Sequence, residues 1–146
     1  MAIEGADYGR TLTRLARQLE IALGDVGLSL PQFRILGILG EGSSGASAMA
    51  EKLTVSRPTV TAAVDGLVAR GLVARTPDGH DRRRIHHTLT TEGELVLVQA
   101  NQAVRDRLTE IVGYLPIEDQ AAALRGFELW RGALDLRRDA RRAARA

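Results

Sequence analysis

A mainly α-helical chain with one small β-hairpin is the fold this sequence predicts, and three observations predict it. Apolar residues recur at helical spacing over most of the 146 residues. Two short segments, 72–76 and 84–90, are instead rich in β-branched and apolar residues and flank the turn signal Pro77-Asp78-Gly79. Cysteine is absent, which excludes disulfide frameworks, thiol catalysis and cysteine-ligated zinc, so an ordinary apolar core must carry stability. At this length a single domain, residues 1–146, can bury such a core.

Tyr8, Leu12, Leu15, Leu19 and Leu23 are spaced by four, three, four and four, one stripe of a first helix that stops near Gly24 or Gly27. A second helix starts after Ser29 as N-cap, with Pro31 in its first turn and Phe33, Leu36 and Leu39 on one face. Gly37 and Gly40 weaken its C-terminal half. After the loop Glu41–Gly45 comes a short helix, ASAMAEKL, burying Met49, Ala50 and Leu53. Thr54 and Val55 alone separate it from Ser56, an N-cap placed before Pro58. The fourth helix buries Val60, Val64, Leu67 and Val68 and ends at Gly71.

Two short helices joined by so tight a turn form a helix-turn-helix, and the hairpin follows at once. In the hairpin, proline presets φ and glycine is expected to accept positive φ. Thr91 opens a long helix with Glu92 and Glu94 where negative charge suits the dipole. Its stripe is Leu97, Asn101, Val104, Leu108, Ile111 and Leu115, and Pro116 ends it. A last helix runs from about Glu118, with Leu124, Phe127, Trp130 and Leu134 on one side and an arginine-rich tail from Arg137 expected to fray. The order of helix-turn-helix, glycine stop and hairpin is that of a winged helix-turn-helix, spanning residues 29–90. In such modules the second helix enters the DNA major groove and the wing reaches backbone or minor groove.

Net charge is only +2, yet the isoelectric point is near 9.6. Lys52 is the sole lysine, so nineteen of twenty cationic side chains are arginine. The guanidinium fork suits phosphate oxygens and guanine edges, although a GC-rich genome gives the same bias, so placement has to decide. Arg82, Arg83 and Arg84 stand together at the hairpin tip directly after the second helix of the helix-turn-helix. That position favours phosphate as their partner over a solvated charge run.

The stretch MAEKLTVSRPTVTAAVDGLVARGLVARTPDGHDRRRIHHTLTTEG resembles the DNA-binding core of the MarR family of bacterial transcription regulators. The resemblance is carried by Leu67, Gly71, Leu72 and Val73, then Asp81-Arg82-Arg83, then Thr90 and Gly93. Two positions depart from the family's pattern. Thr54 stands where glycine is frequent and is tolerated if it avoids positive φ, and Ala62 stands where an arginine or another polar residue is common.

Roles follow as expectations. Ser56, Arg57, Thr59 and Thr61 lie in the first turns of the recognition helix, facing phosphates or base edges. The resemblance implies that Asp81 orients an arginine, that Arg83 probes the minor groove, and that Arg82 or Arg84 contacts backbone. It also implies that helices in residues 1–28 and 91–146 are dimerisation helices, with Tyr8, Leu12, Leu15, Leu19, Phe127, Trp130 and Leu134 as interface candidates. A small aromatic or phenolic effector is implied as well, and Tyr8, Arg14, Arg34 and Trp130 are the candidates to line its pocket. The partners expected are double-stranded DNA and a second copy of the chain.

Other classes find less support. His80, His86 and His87 lie near Asp81, but HDRRRIHH has no established ligand spacing and three arginines oppose a cation, so no metal and exposed hairpin histidines are expected. No cofactor is expected. The motifs of phosphate loops, serine elbows and paired carboxylates beside a histidine are missing, which argues against an enzyme. The N-terminal segment is punctuated by Glu4, Asp7, Arg10, Arg14 and Arg17 and no run suits a bilayer, which predicts a cytoplasmic protein with no membrane partner. The rival reading is a winged-helix architectural or protein-interaction module that binds DNA without sequence preference.

Overall fold

The computed structural model describes residues 7–144. In order these are α1 (Tyr8–Asp25), α2 (Leu30–Gly40), α3 (Ala46–Leu53), α4 (Arg57–Ala69), β1 (Val73–Pro77), β2 (Ile85–Leu89), α5 (Thr91–Val112) and α6 (Ile117–Ala143). The mainly helical fold with a small hairpin is therefore the one observed. The chain packs as two compact units that divide inside α5, the first ending at Arg105 and the second beginning at Asp106.

In the first unit one apolar cluster joins every element. Leu23, Ile35, Leu36, Met49, Val60, Val64 and Leu67 are sealed from solvent, with Leu72, Val73, Val96 and Ala100 extending the cluster to the wing and α5. Burying each such side chain contributes about 1.5–3 kcal/mol. The α1 stripe engages this core only at its C-terminal end: Leu23 is buried and Leu19 packs against the cluster, whereas Tyr8 and Leu12 are exposed.

A reciprocal capping box opens α2, where the Ser29 hydroxyl accepts from the Gln32 amide and the Gln32 side chain accepts from the Ser29 amide. The helix continues through Gly37 and Gly40. At Gly40 a β-carbon would sit 3.0 Å from the Leu97 side chain, so glycine here admits α5.

The two helices of the helix-turn-helix end alike. At the end of α4 the Leu72 amide donates to the Leu67 carbonyl at 3.0 Å and Gly71 takes a φ of +71°. At the end of α3 the Val55 amide donates to the Ala50 carbonyl at 3.1 Å, and here the left-handed residue is Thr54, with φ 56° and ψ 45°. The condition on which Thr54 was to be tolerated, that it avoid positive φ, is thus not met. The terminating bond needs a left-handed residue at this position, and the turn before Ser56 is too short to place it elsewhere.

β1 and β2 pair antiparallel, with Val73 opposite Leu89 and Pro77 opposite Ile85. On the other edge of β2 the α2–α3 loop adds an isolated bridge, where Ser44 exchanges two backbone hydrogen bonds with His87 at 2.9 and 3.1 Å. Thr90 then locks the wing to α5: its hydroxyl donates to the Gly71 carbonyl at 2.6 Å and accepts from the Gly93 amide at 3.0 Å. Within the first unit the buried residues of α5 are Gly93, Val96 and Ala100, with Leu97 and Val104 packing against the core, and Asn101 of the predicted stripe is exposed. A stripe read from apolar spacing passes over Gly93 and Ala100, whose small size is what lets the helix approach.

The second unit holds the end of α5 and all of α6. The helix α6 starts with Glu118 and Asp119 in its first turn and closes with Arg141 and Arg142 in its last, matching the dipole at both ends. The arginine-rich tail does not fray before Ala143. Arg138 bridges Asp135 at 3.3 Å and Asp139 at 3.4 Å, which supports this turn locally. The tail's last two residues, Arg145 and Ala146, lie outside the described residues. Leu124, Phe127, Trp130 and Leu134 are all exposed, and no residue of α6 is buried.

Candidate nucleic-acid interface

Helix α4, the second of the helix-turn-helix, presents its N-terminus to solvent. Ser56 caps it, its hydroxyl accepting from the Thr59 amide at 3.3 Å and lying 2.8 Å from the Thr59 hydroxyl. The Thr61 hydroxyl donates back to the Arg57 carbonyl at 3.0 Å, which fixes its rotamer and leaves its lone pairs outward. Ser56, Arg57, Thr59 and Thr61 are all exposed. The unsatisfied amides of such a terminus and its positive dipole end suit phosphate.

The wing tip is built by two carboxylates. Asp78 Oδ1 accepts from the amides of His80 at 2.7 Å and Asp81 at 3.2 Å, and its Oδ2 lies 2.7 Å from His86 Nε2. A carboxylate only accepts, so that imidazole nitrogen donates. These donors, the His80 amide foremost, hold the Asp78 pKa down at about 2 from an ordinary 3.8. Asp81 Oδ1 accepts from the Arg83 amide at 3.0 Å, and Asp81 Oδ2 lies 4.0 Å from Arg84 Nε. Backbone bonds of 2.8 Å from Asp78 to the Arg84 carbonyl and from Arg84 to the Asp81 carbonyl close the turn. The expected glycine mechanism is not the one used, because Gly79 does not take positive φ; the carboxylate of Asp78 shapes the turn instead.

Arg57, Arg82 and Arg83 have no carboxylate partner among the described residues, and the Arg84 pairing is at the limit of an ion pair. These four cations are available to an external anion. Arg75 of β1 is committed to an exposed ion pair with Asp65 of α4, which ties the wing to that helix.

His87 corrects the expectation of exposed histidines. It is buried, and its Nδ1 lies 3.1 Å from the Ser44 carbonyl, so Nδ1 carries the hydrogen. Burial pushes its pKa below 6.5, with Arg75 and His86 acting the same way against the Ser44 hydrogen bond and Asp65. Coverage by Ser44 is the reason, and the hairpin alone does not announce it. Among the described residues no group of three or more His, Asp or Glu side chains is arranged to hold a metal.

Between α3, α4 and the wing lies a groove of about 830 Å³, into which Arg57 and Thr61 project from α4 and Arg83 and Arg84 from the wing. The geometry thus brings four of the sequence-selected residues to one cleft. Sequence reasoning missed Asp65, Arg75 and Asp78. The aspartate of a Pro-Asp-Gly turn carried a usable signal, while the Asp65 and Arg75 pairing had none. None of Tyr8, Arg14, Arg34 and Trp130 lines this groove. The Arg34 guanidinium donates to the Leu53 carbonyl at 3.0 Å, closing the end of α3, and Tyr8, Arg14 and Trp130 are exposed. Of the interface candidates, Leu15 is half-buried and Leu19 is part of the chain's own core, while Tyr8, Leu12, Phe127, Trp130 and Leu134 are exposed. No single helix among the described residues is long and apolar enough to cross a membrane.

Comparisons with known proteins agree with this geometry. The sequence model of the MarR family matches residues 26–84, from the end of α1 to the wing tip. The chain is 29% identical over 103 residues to the HTH-type transcriptional regulator FarR of Neisseria gonorrhoeae, an alignment covering 68% of this chain and 70% of FarR. Among solved structures, a mutant MarR from E. coli superposes with a TM-score of 0.73 at 26% identity, covering 90% of this chain and 98% of that one. The transcriptional repressor CouR, bound to a 23-mer DNA duplex, gives a TM-score of 0.70 at 27% identity over 89% of this chain and 92% of that one. With its winged helix-turn-helix, the chain is thus similar to the MarR family of transcriptional regulators, in sequence over residues 26–84 and in fold over most of its length.

Proposed function

We propose that this protein is a sequence-specific DNA-binding transcription regulator, acting as a homodimer and as a repressor on a near-palindromic operator. The observation that carries the reading is the shared groove, where Arg57 and Thr61 from the exposed N-terminal turns of α4 and the wing arginines Arg83 and Arg84 face the same space. An α-helix N-terminus fits the major groove, and a flanking wing then meets backbone or minor groove. That CouR is solved on duplex DNA supports the same mode here. Exposed apolar side chains on α1 and, separately, on α6 support self-association. Two-fold symmetry would set the recognition helices roughly 34 Å apart, one turn of DNA. Release by a small aromatic or phenolic effector belongs to the reading through the family resemblance alone.

The test is selection of bound duplexes from a random pool at near-physiological salt, followed by titration of the enriched sequence against its scramble. An enriched near-palindrome, bound at least about a thousandfold more tightly, is expected. Enrichment of a lone half-site would overturn the dimer. Equal, salt-sensitive binding to both duplexes would make the protein an architectural module instead.

A further inference from the structure

Asp78 is the most heavily used side chain of the wing and has no part in the core. It takes three hydrogen bonds, from the His80 and Asp81 amides and from His86 Nε2. Its own amide donates to the Arg84 carbonyl, so the residue binds both ends of the segment that carries Arg82, Arg83 and Arg84. Asp81, which this carboxylate holds by its amide, in turn accepts from the Arg83 amide. A chain of bonds therefore runs from Asp78 through Asp81 to Arg83. His86 reaches the carboxylate from β2, opposite Thr76 in the register, so the turn is also anchored to the strand that enters the groove.

We propose that Asp78, splinted by His86, is the positioning residue that sets the DNA contacts of the wing arginines; this rests on the DNA-binding reading above. Flexible arginines on a free loop would lose conformational freedom when they meet phosphate, whereas a preformed turn has already lost it. The three donors stabilise the carboxylate in its charged form, so the turn that they close keeps its shape at neutral pH. His86 Nε2 is spent on this bond, and its Nδ1 is buried without a partner, so the ring is placed to hold the turn and not to bind phosphate itself.

The experiment is a double-mutant cycle on the full chain, using the duplex enriched by selection and its scramble. Asp78→Ala should weaken binding to both about five- to tenfold and flatten the dependence of log affinity on log salt by about one phosphate contact. With Arg82, Arg83 and Arg84 all changed to alanine, Asp78→Ala should cost less than twofold, because its effect passes through those side chains. Asp78→Asn keeps the acceptor for both amides and should restore at least half of the lost affinity. Unaltered affinity and salt slope in Asp78→Ala, or an undiminished loss in the arginine-free background, would overturn the positioning role while leaving the DNA-binding reading intact. If Asp78→Ala fails to fold, His86→Ala serves in the same cycle, since it removes one of the three bonds and should give a smaller loss with the same coupling. A wild type that binds neither duplex would overturn both readings.

Discussion

The carbonyl oxygen of Leu72 lies where the side chain of residue 93 would begin: a β-carbon on Gly93 would sit 2.0 Å from it. The same carbonyl accepts from the Thr90 amide at 3.1 Å, so the first turn of α5 is pressed onto the strand that leads into the wing. The obstacle is backbone held at both ends, and a flexible side chain could move aside where this cannot.

Gly93→Ala should accordingly destabilise the protein by about 3 kcal/mol or more, the upper range for overpacking. Urea unfolding with an unchanged slope and a lower midpoint would show it. An unaltered midpoint would mean that α5 shifts freely against Leu72, and the lock described for Thr90 would then be loose.

Thr54 offers the opposite case. A β-branched residue in the left-handed region costs about 1–2 kcal/mol, and a glycine there loses part of that gain to its freer unfolded chain. Thr54→Gly should stabilise by about 0.5–1 kcal/mol net, read as a rise of a few degrees in the thermal midpoint. A fall would show that the threonine side chain makes up for its own strain.

How far these features were legible in the sequence depends on whether they rest on local or distant partners. The helices, Ser29 and Ser56 caps, Gly71 stop and hairpin follow from spacing and turn chemistry within a few residues, and each is present. The motif Thr90-x-x-Gly93 was visible as a pattern, but its cause, the approach to Leu72, needs the fold. Asn101 was placed on a buried face because apolar spacing counts large side chains, while α5 packs through Gly93 and Ala100. His87 was misread for a related reason: its cover, Ser44, lies forty-three residues away. The wing arginines were legible as a cluster, and the carboxylate that arranges them was hidden inside a turn signal credited to its neighbours.

His87 sets a pH dependence. Its folded pKa is depressed by burial, so between that value and 6.5 the unfolded chain holds more protons than the folded one. Stability is then complete above about 6.5 and falls as the pH drops below it. Asp78 contributes only at far lower pH, its share being lost between 3.8 and about 2. The measurement is urea unfolding from pH 8 to 5 in the wild type and in His87→Asn, whose amide can still donate to Ser44. The wild type should lose stability toward pH 5 and the variant should lose less. Identical slopes in the two proteins would remove His87 as the source.

The two halves of the groove should fail differently on DNA. Arg83 has no carboxylate partner among the described residues, so Arg83→Ala should weaken binding to operator and scramble alike and reduce the salt slope by about 0.9, the release from one phosphate. Arg57 and Thr61 face the cleft from α4, the helix proposed to read base edges. Arg57→Ala or Thr61→Ala should cost about 1–3 kcal/mol on the operator with little change on the scramble, relaxing preference at particular positions. The check is a titration of each variant against single-position substitutions of the operator over a range of salt. If Thr61→Ala weakens all sequences equally, its hydroxyl serves the helix through the Arg57 carbonyl and not the DNA. If Arg83→Ala leaves the salt slope untouched, the wing does not reach the duplex, and the groove must be assigned to α4 alone.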